Sequence, residues 1–92
     1  MIYNMENKDL EIWKDIQKGE LSEDYKERFK AEYRALVIRL QKLEVMIYKY
    51  QHDKLDFKPS CPIHVLIQQL DHMENYAKTL RERAVIENIK LW

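Results

Sequence analysis

A chain of 92 residues with 16 basic and 16 acidic side chains has a formal net charge of zero. That balance argues against a general binder of nucleic-acid backbones, which would carry a basic excess on one face. One glycine excludes a glycine-rich phosphate loop, one cysteine (Cys61) excludes an internal disulfide, and no apolar run approaches the roughly 20 residues that cross a bilayer.

The length suits one small helical domain over residues 1–92, near the size where a single core is only marginally sufficient. Charge from Glu6 onward speaks against a signal peptide, and the expectation is a soluble protein of the cytoplasm.

The first predicted element is a short amphipathic helix over about 7–18. Leu10, Trp13 and Ile16 or Ile12 share a face, Asn7 or Asp9 caps the start, and Gly19 stops it. Ser22 then serves as N-cap of a second helix, with Glu23 and Asp24 at the positive end of its dipole. This helix runs to about residue 53, some 48 Å at about 1.5 Å per residue. Along it Phe29, Tyr33, Leu36, Leu40, Leu43, Ile47 and Tyr50 keep an unbroken four-three spacing. Such spacing is the seam of a helix packed lengthwise on another.

A polar connection with Pro59 and Pro62 follows, in which Leu55 and Phe57 fold back over the end of the hairpin. Ser60 or Cys61 caps a third helix over about 61–91, with Pro62 in its first turn. Ile63, Leu66, Leu70, Met73, Ala77, Leu80 and Ala84 answer the first seam on the same rhythm. The fold class is therefore all-α: a short N-terminal helix, then a long antiparallel two-helix hairpin of coiled-coil character. A turn centred near Phe57 sets Leu40 level with Met73 or Glu74, and Tyr33 level with Leu80 or Arg81.

At 46% hydrophobic residues, the chain holds more apolar surface than two stripes use. Off-seam residues such as Ile38, Val45, Met46 and Tyr48 have two outlets, the N-terminal segment and self-association. Val85, Ile86, Ile89 and Trp92 spread around the end of the third helix, which is most simply an oligomer contact. A homo-oligomer is expected.

Residues that could carry chemistry are few. His64 and His72 do not face the same way on a helix, and His52 suits the negative end of a helix dipole. No metal site, catalytic residue or cofactor is read from them, and Cys61 has no neighbour arranged to activate it. The chain is expected not to be an enzyme.

Two polar stripes stand out instead. Gln69, Tyr76 and Arg83 recur every seven residues on one flank of the third helix, and Glu32, Arg39 and Met46 on the second. The hairpin register brings Arg39 near Tyr76 and Glu32 near Arg83. One reading is a flank salt bridge and a cation–π contact within the hairpin. The other is a cleft between protomers, where tyrosine stacks a base and arginine holds a phosphate. Tyr25, Phe29 and Tyr33 form an aromatic ladder on which Trp13 is expected to dock. The competing reading makes the ladder, with Trp13 and Tyr3 upstream, an aromatic platform for a ligand, with Lys8, Lys14, Lys26 or Arg28 nearby as anion partners.

The stretches EYRALVIRLQKL (Glu32–Leu43) and LIQQLDHMENYAKTLRER (Leu66–Arg83) resemble a family of small helical proteins of tailed phages, named after a protein of a gut crAss-like phage. Its pattern is E-Y-x-x-L, then R-x-x-K-L, then Q-L-x-x-M-x-x-Y-x-x-L-x-x-R. Here the matching positions are Glu32, Tyr33, Leu36, Arg39, Lys42 and Leu43, then Gln69, Leu70, Met73, Tyr76, Leu80 and Arg83. A short helix before a long hairpin is also similar, in architecture, to the phage anti-CBASS sponge proteins.

The family resemblance implies a phage accessory protein acting in the host cytoplasm, and the architectural likeness to the sponge proteins implies that it sequesters a nucleotide-derived immune signal of the host. The ligand would be a cyclic nucleotide or a molecule of the cyclic ADP-ribose type, held in clefts of the oligomer. Arg39, Gln69, Tyr76 and Arg83 are the candidate ligand-binding residues, followed by Tyr3, Lys8 and Trp13. The rival reading is a coiled-coil module that inhibits or adapts a host protein through Ile38, Val45 and Tyr48.

Overall fold

The described residues form three helices: α1 (Asn7–Glu20), α2 (Tyr25–Gln51) and α3 (Ile63–Ile86). The computed structural model describes residues 7–91, with side chains from residue 8, and there is no strand among them. α2 is the central element. α1 packs on one of its faces and α3 on another, and α1 and α3 do not meet.

The face toward α3 is the expected seam. At the open end Phe29, Tyr33 and Leu36 bury against Ala77, Leu80 and Ala84. Near the turn Leu43 and Ile47 meet Ile63, Leu66 and Leu70, with Leu55 folded over them. Leu43 and Leu80 are each 1% exposed, and burying such a side chain contributes about 1.5–3 kcal/mol. The register is the expected one: Arg81 Nη1 donates to Tyr33 Oη at 3.1 Å. Tyr50, at the far end of the seam, remains exposed.

A second stripe on α2, formed by Ala31, Ala35 and Ile38, receives Ile12, Trp13 and Ile16 of α1. Trp13 therefore docks on this side and not on the ladder of Tyr25, Phe29 and Tyr33. Gly19 does not end α1. The helix passes through it to Glu20, and its missing side chain lets α1 close onto Ala31.

The helix ends differ from expectation for local reasons. α2 starts at Tyr25 because Asp24 caps it: Asp24 Oδ1 accepts from the Lys26 N–H at 2.9 Å. Ser22 Oγ instead accepts from the Asp24 N–H at 3.1 Å, one step upstream. At α3 the cap position falls to Pro62, and no side chain caps the helix, neither Ser60 nor Cys61.

Both hairpin helices close on a left-handed residue, Asp53 (φ 55°) and Asn88 (φ 56°). The Lys54 N–H returns to the Lys49 carbonyl at 2.7 Å, and the Ile89 N–H to the Ala84 carbonyl at 2.8 Å. This is the Schellman arrangement, which satisfies carbonyls left open by a helix end. α3 therefore stops at Ile86, short of residue 91, and Ile89 folds back into the core beside Phe29. Val85 and Ile86 stay exposed, and Trp92 lies outside the described residues. No helix among the described residues is long and apolar enough to cross a membrane.

Candidate functional site

α2 carries Glu32 and Arg39 seven residues apart, close to two turns, so they stand one above the other. Their stripe lies between the face that takes α1 and the face that takes α3. The contacts of the two side chains agree with that position. The Arg39 guanidinium sits over the Trp13 ring of α1, 4.9 Å from its centroid. Glu32 contributes its charge to the field around Arg83 of α3.

On α3 the same spacing stacks Gln69, Tyr76 and Arg83 along one flank. Arg83 meets Tyr25 and Phe29, whereas Arg81 meets Tyr33 on the opposite flank. The Gln69–Tyr76–Arg83 flank thus borders the side of α2 that bears Glu32 and Arg39. The α3 flank itself holds a shallow depression of about 410 Å³ formed by Val65, Gln68, Gln69, His72, Met73 and Tyr76. Tyr76 is about half exposed there, and Gln69 Nε2 lies 3.9 Å from Met73 Sδ.

Arg83 has its own partners. Its Nε donates to Glu87 Oε2 at 2.9 Å and its Nη2 to Tyr25 Oη at 2.6 Å. Tyr25 Oη in turn donates to Glu87 Oε1 at 2.6 Å, closing a three-membered ring. The guanidinium also lies over Phe29, 4.8 Å from the ring centroid. Hydrogen bonds from Tyr25, then Arg83, hold the Glu87 carboxyl below its ordinary range. The same carboxylate pushes the Tyr25 phenol up, because it accepts a hydrogen bond that only the neutral phenol can donate. Its bond to Glu87 raises Arg83 as well.

The expected site residues are thus sorted by the fold. Arg39 is joined to Trp13; Gln69 and Tyr76 share one depression; Arg83 belongs to a clasp at the open end. Lys8 is exposed at the start of α1, and Tyr3 lies outside the described residues. Glu87 is not among the candidates, and Tyr25 enters only through the aromatic ladder. The hairpin register sets them level, so the pairing was available to sequence reasoning once the turn was centred.

A larger hollow, about 630 Å³, lies on the other side of α2 and contains none of these residues. Lys18, Lys30 and Arg34 line it with Asp15 and Glu27, and Leu91 forms a wall. Arg34 is paired with Asp15 at 2.9 Å and Lys30 with Glu27 at 3.5 Å. Of the histidines, His72 lines the Gln69–Tyr76 depression, whereas His52 stacks on Tyr48 at 4.1 Å and donates Nδ1–H to the Tyr48 carbonyl at 2.9 Å.

The Sequestin family model matches residues 23–86, more than half of the chain. The matched span contains Arg39, Gln69, Tyr76 and Arg83, and leaves α1 and Glu87 outside. No curated protein and no solved structure matches the chain.

Proposed function

The chain belongs to the Sequestin family, and on that premise we propose that it is a non-enzymatic protein that captures a nucleotide-derived signal of host immunity. The family's name is consistent with a sequestering role. The captured molecule would be a cyclic nucleotide or of the cyclic ADP-ribose type, and the protein a phage accessory that disarms host defence by stoichiometric capture. The observations that carry the reading are an arginine laid on a tryptophan at the α1–α2 contact, a half-exposed tyrosine beside glutamine in a shallow depression on α3, and an arginine held by a tyrosine at the open end of the hairpin.

Each group has a task. Tyr76 offers a ring face to a base, and stacking of this kind contributes about 1–3 kcal/mol per base. Arg39 and Arg83 supply planar, fully charged forks for phosphate oxygens. Gln69 has both a donor and an acceptor for the edge of a base. Trp13 holds Arg39 flat in the free protein, so less side-chain entropy is lost on binding. The depression on α3 is open to solvent, and a second copy laid along α3 over Val65 and Tyr76 would close it. The homo-oligomer belongs to the proposal for that reason.

The deciding experiment is native mass spectrometry of the protein with cyclic oligonucleotides and cyclic ADP-ribose isomers. A defined oligomer that gains discrete ligand masses at low micromolar concentration supports capture and counts the sites. An oligomer that takes up nothing overturns it. In that case the alternative gains: a protein–protein module using Val45 and Tyr48, both about half exposed. Ile38 is occupied by α1, which narrows that face.

A further inference from the structure

The clasp at the open end of the hairpin has the chemistry of an occupied anion site. Glu87 offers two oxygens, one to Arg83 Nε at 2.9 Å and one to Tyr25 Oη at 2.6 Å. A phosphate would meet the same donors: a guanidinium fork, a phenol hydroxyl and, beneath the fork, the ring of Phe29. A second cation is close, since Lys26 Nζ reaches the carbonyl of Asn88, the residue after Glu87, at 3.4 Å. Both Arg83 and Glu87 remain partly open to solvent, so the position can be reached from outside.

We propose that Glu87 is a built-in stand-in for a ligand phosphate: it fills the anion position of Arg83 and Tyr25 in the free protein, and a phosphate-bearing ligand displaces it. The exchange needs little rearrangement. Glu87 holds its place at the end of α3 through its backbone N–H, bonded to the Arg83 carbonyl at 2.8 Å. Its side chain can swing away while the helix end stays closed. An exposed ion pair of this kind is weak, and a multiply charged phosphate outcompetes a single carboxylate for the fork. Glu87 thus sets a threshold: weak monoanions fail to displace it, and polyphosphates succeed.

The identity of the natural ligand rests on the sequestering reading above; the exchange at Arg83 does not. The test uses the full chain as wild type, Glu87→Gln, Glu87→Asp and Tyr25→Phe, with inorganic pyrophosphate and a cyclic dinucleotide as probes. Affinity is measured by calorimetry, and the Arg83 Nε–H and Glu87 carboxylate carbon are followed by NMR. Pyrophosphate should shift both signals. Glu87→Gln should bind about two- to fivefold more tightly, the weight of one exposed ion pair. The shortened Glu87→Asp should fall between it and wild type, and Tyr25→Phe should bind less tightly than wild type.

Binding that leaves the Arg83 signal unmoved, or that Glu87→Gln does not tighten, overturns the proposal. Absence of pyrophosphate binding in every variant overturns it as well. Exchange with pyrophosphate but no uptake of the cyclic dinucleotide upholds the stand-in and removes the cyclic-dinucleotide form of the sequestering reading. Equal uptake of the cyclic dinucleotide by wild type and Glu87→Gln, with Arg83 silent, does the reverse.

Discussion

Gly19 of α1 and Ala31 of α2 face each other so closely that a Cβ built on the glycine stands 2.9 Å from the alanine Cβ. The alanine methyl is fixed to the backbone, so relief requires one helix to move. Helix propensity alone would favour Gly19→Ala by about 0.5–1 kcal/mol, but overpacking costs about 1–3 kcal/mol. Gly19→Ala should therefore lower stability by about 1–2 kcal/mol. Adding Ala31→Gly should recover part of that loss in a double-mutant cycle. Denaturant unfolding followed by Trp13 emission measures both.

Ile16, Leu43 and Leu80 are the largest fully buried side chains, and they sit in different clusters. Leu43→Ala or Leu80→Ala should cost about 2–5 kcal/mol, enough to unfold much of a small domain. Ile16→Ala should act differently, because α1 touches only α2. It should release α1 while the hairpin keeps its helicity, seen as a Trp13 transition that precedes the loss of far-ultraviolet dichroism.

Asn88 holds φ at 56°, where a residue with a Cβ is strained by about 1–2 kcal/mol and glycine is not. Asn88→Ala should lose about 1 kcal/mol, whereas Asn88→Gly should leave stability within about 0.5 kcal/mol. The alanine variant should also loosen Ile89, whose burial depends on the chain reversing there. Amide exchange at Ile89 reports this directly.

The clasp defines a pH window. Glu87 titrates lower in the folded protein, so its contribution is present above the ordinary carboxylate range and is lost as pH falls through its depressed value. Tyr25 titrates higher, so its contribution is present below the ordinary phenol range and is lost as pH climbs through its raised value. The clasp is complete between those limits. In Glu87→Gln the Tyr25 phenol should fall back toward its ordinary value, measured by absorbance or NMR titration.

Periodicity made the hairpin legible. Phe29, Tyr33, Leu36, Leu43, Ile47, Ala77, Leu80 and Ala84 are all buried on the seam that the four-three spacing marks. Tyr33 meets Arg81 because the turn lies where its composition put it. The places that spacing misses are governed by close approach and by single hydrogen bonds. Gly19 looks like a terminator in isolation, and only the nearness of Ala31 gives it another role. Asp24 and Ser22 are equally good caps by residue type, and the choice between them rests on one N–H from Lys26.

The site was legible in the same partial way. The seven-residue spacing of Gln69, Tyr76 and Arg83 put them on one flank, and Arg39 was singled out for a cation–π contact. Its partner is Trp13 of α1 and not a residue of the hairpin. Which face of α2 receives α1 depends on Ala31 and Ala35 being small, and hydrophobic pattern alone does not register that.

A hairpin whose helices meet only their neighbours in sequence closes like a zipper. The turn between Gln51 and Ile63 brings Ile47 and Leu66 together across a short loop, and each further pair adds little to the loop already closed. Tyr25 and Glu87, 62 residues apart, stand at the far end of that line beside Lys26 and Asn88. Their bond completes folding and is the first to open when the hairpin frays, while the paired leucines near the turn still hold.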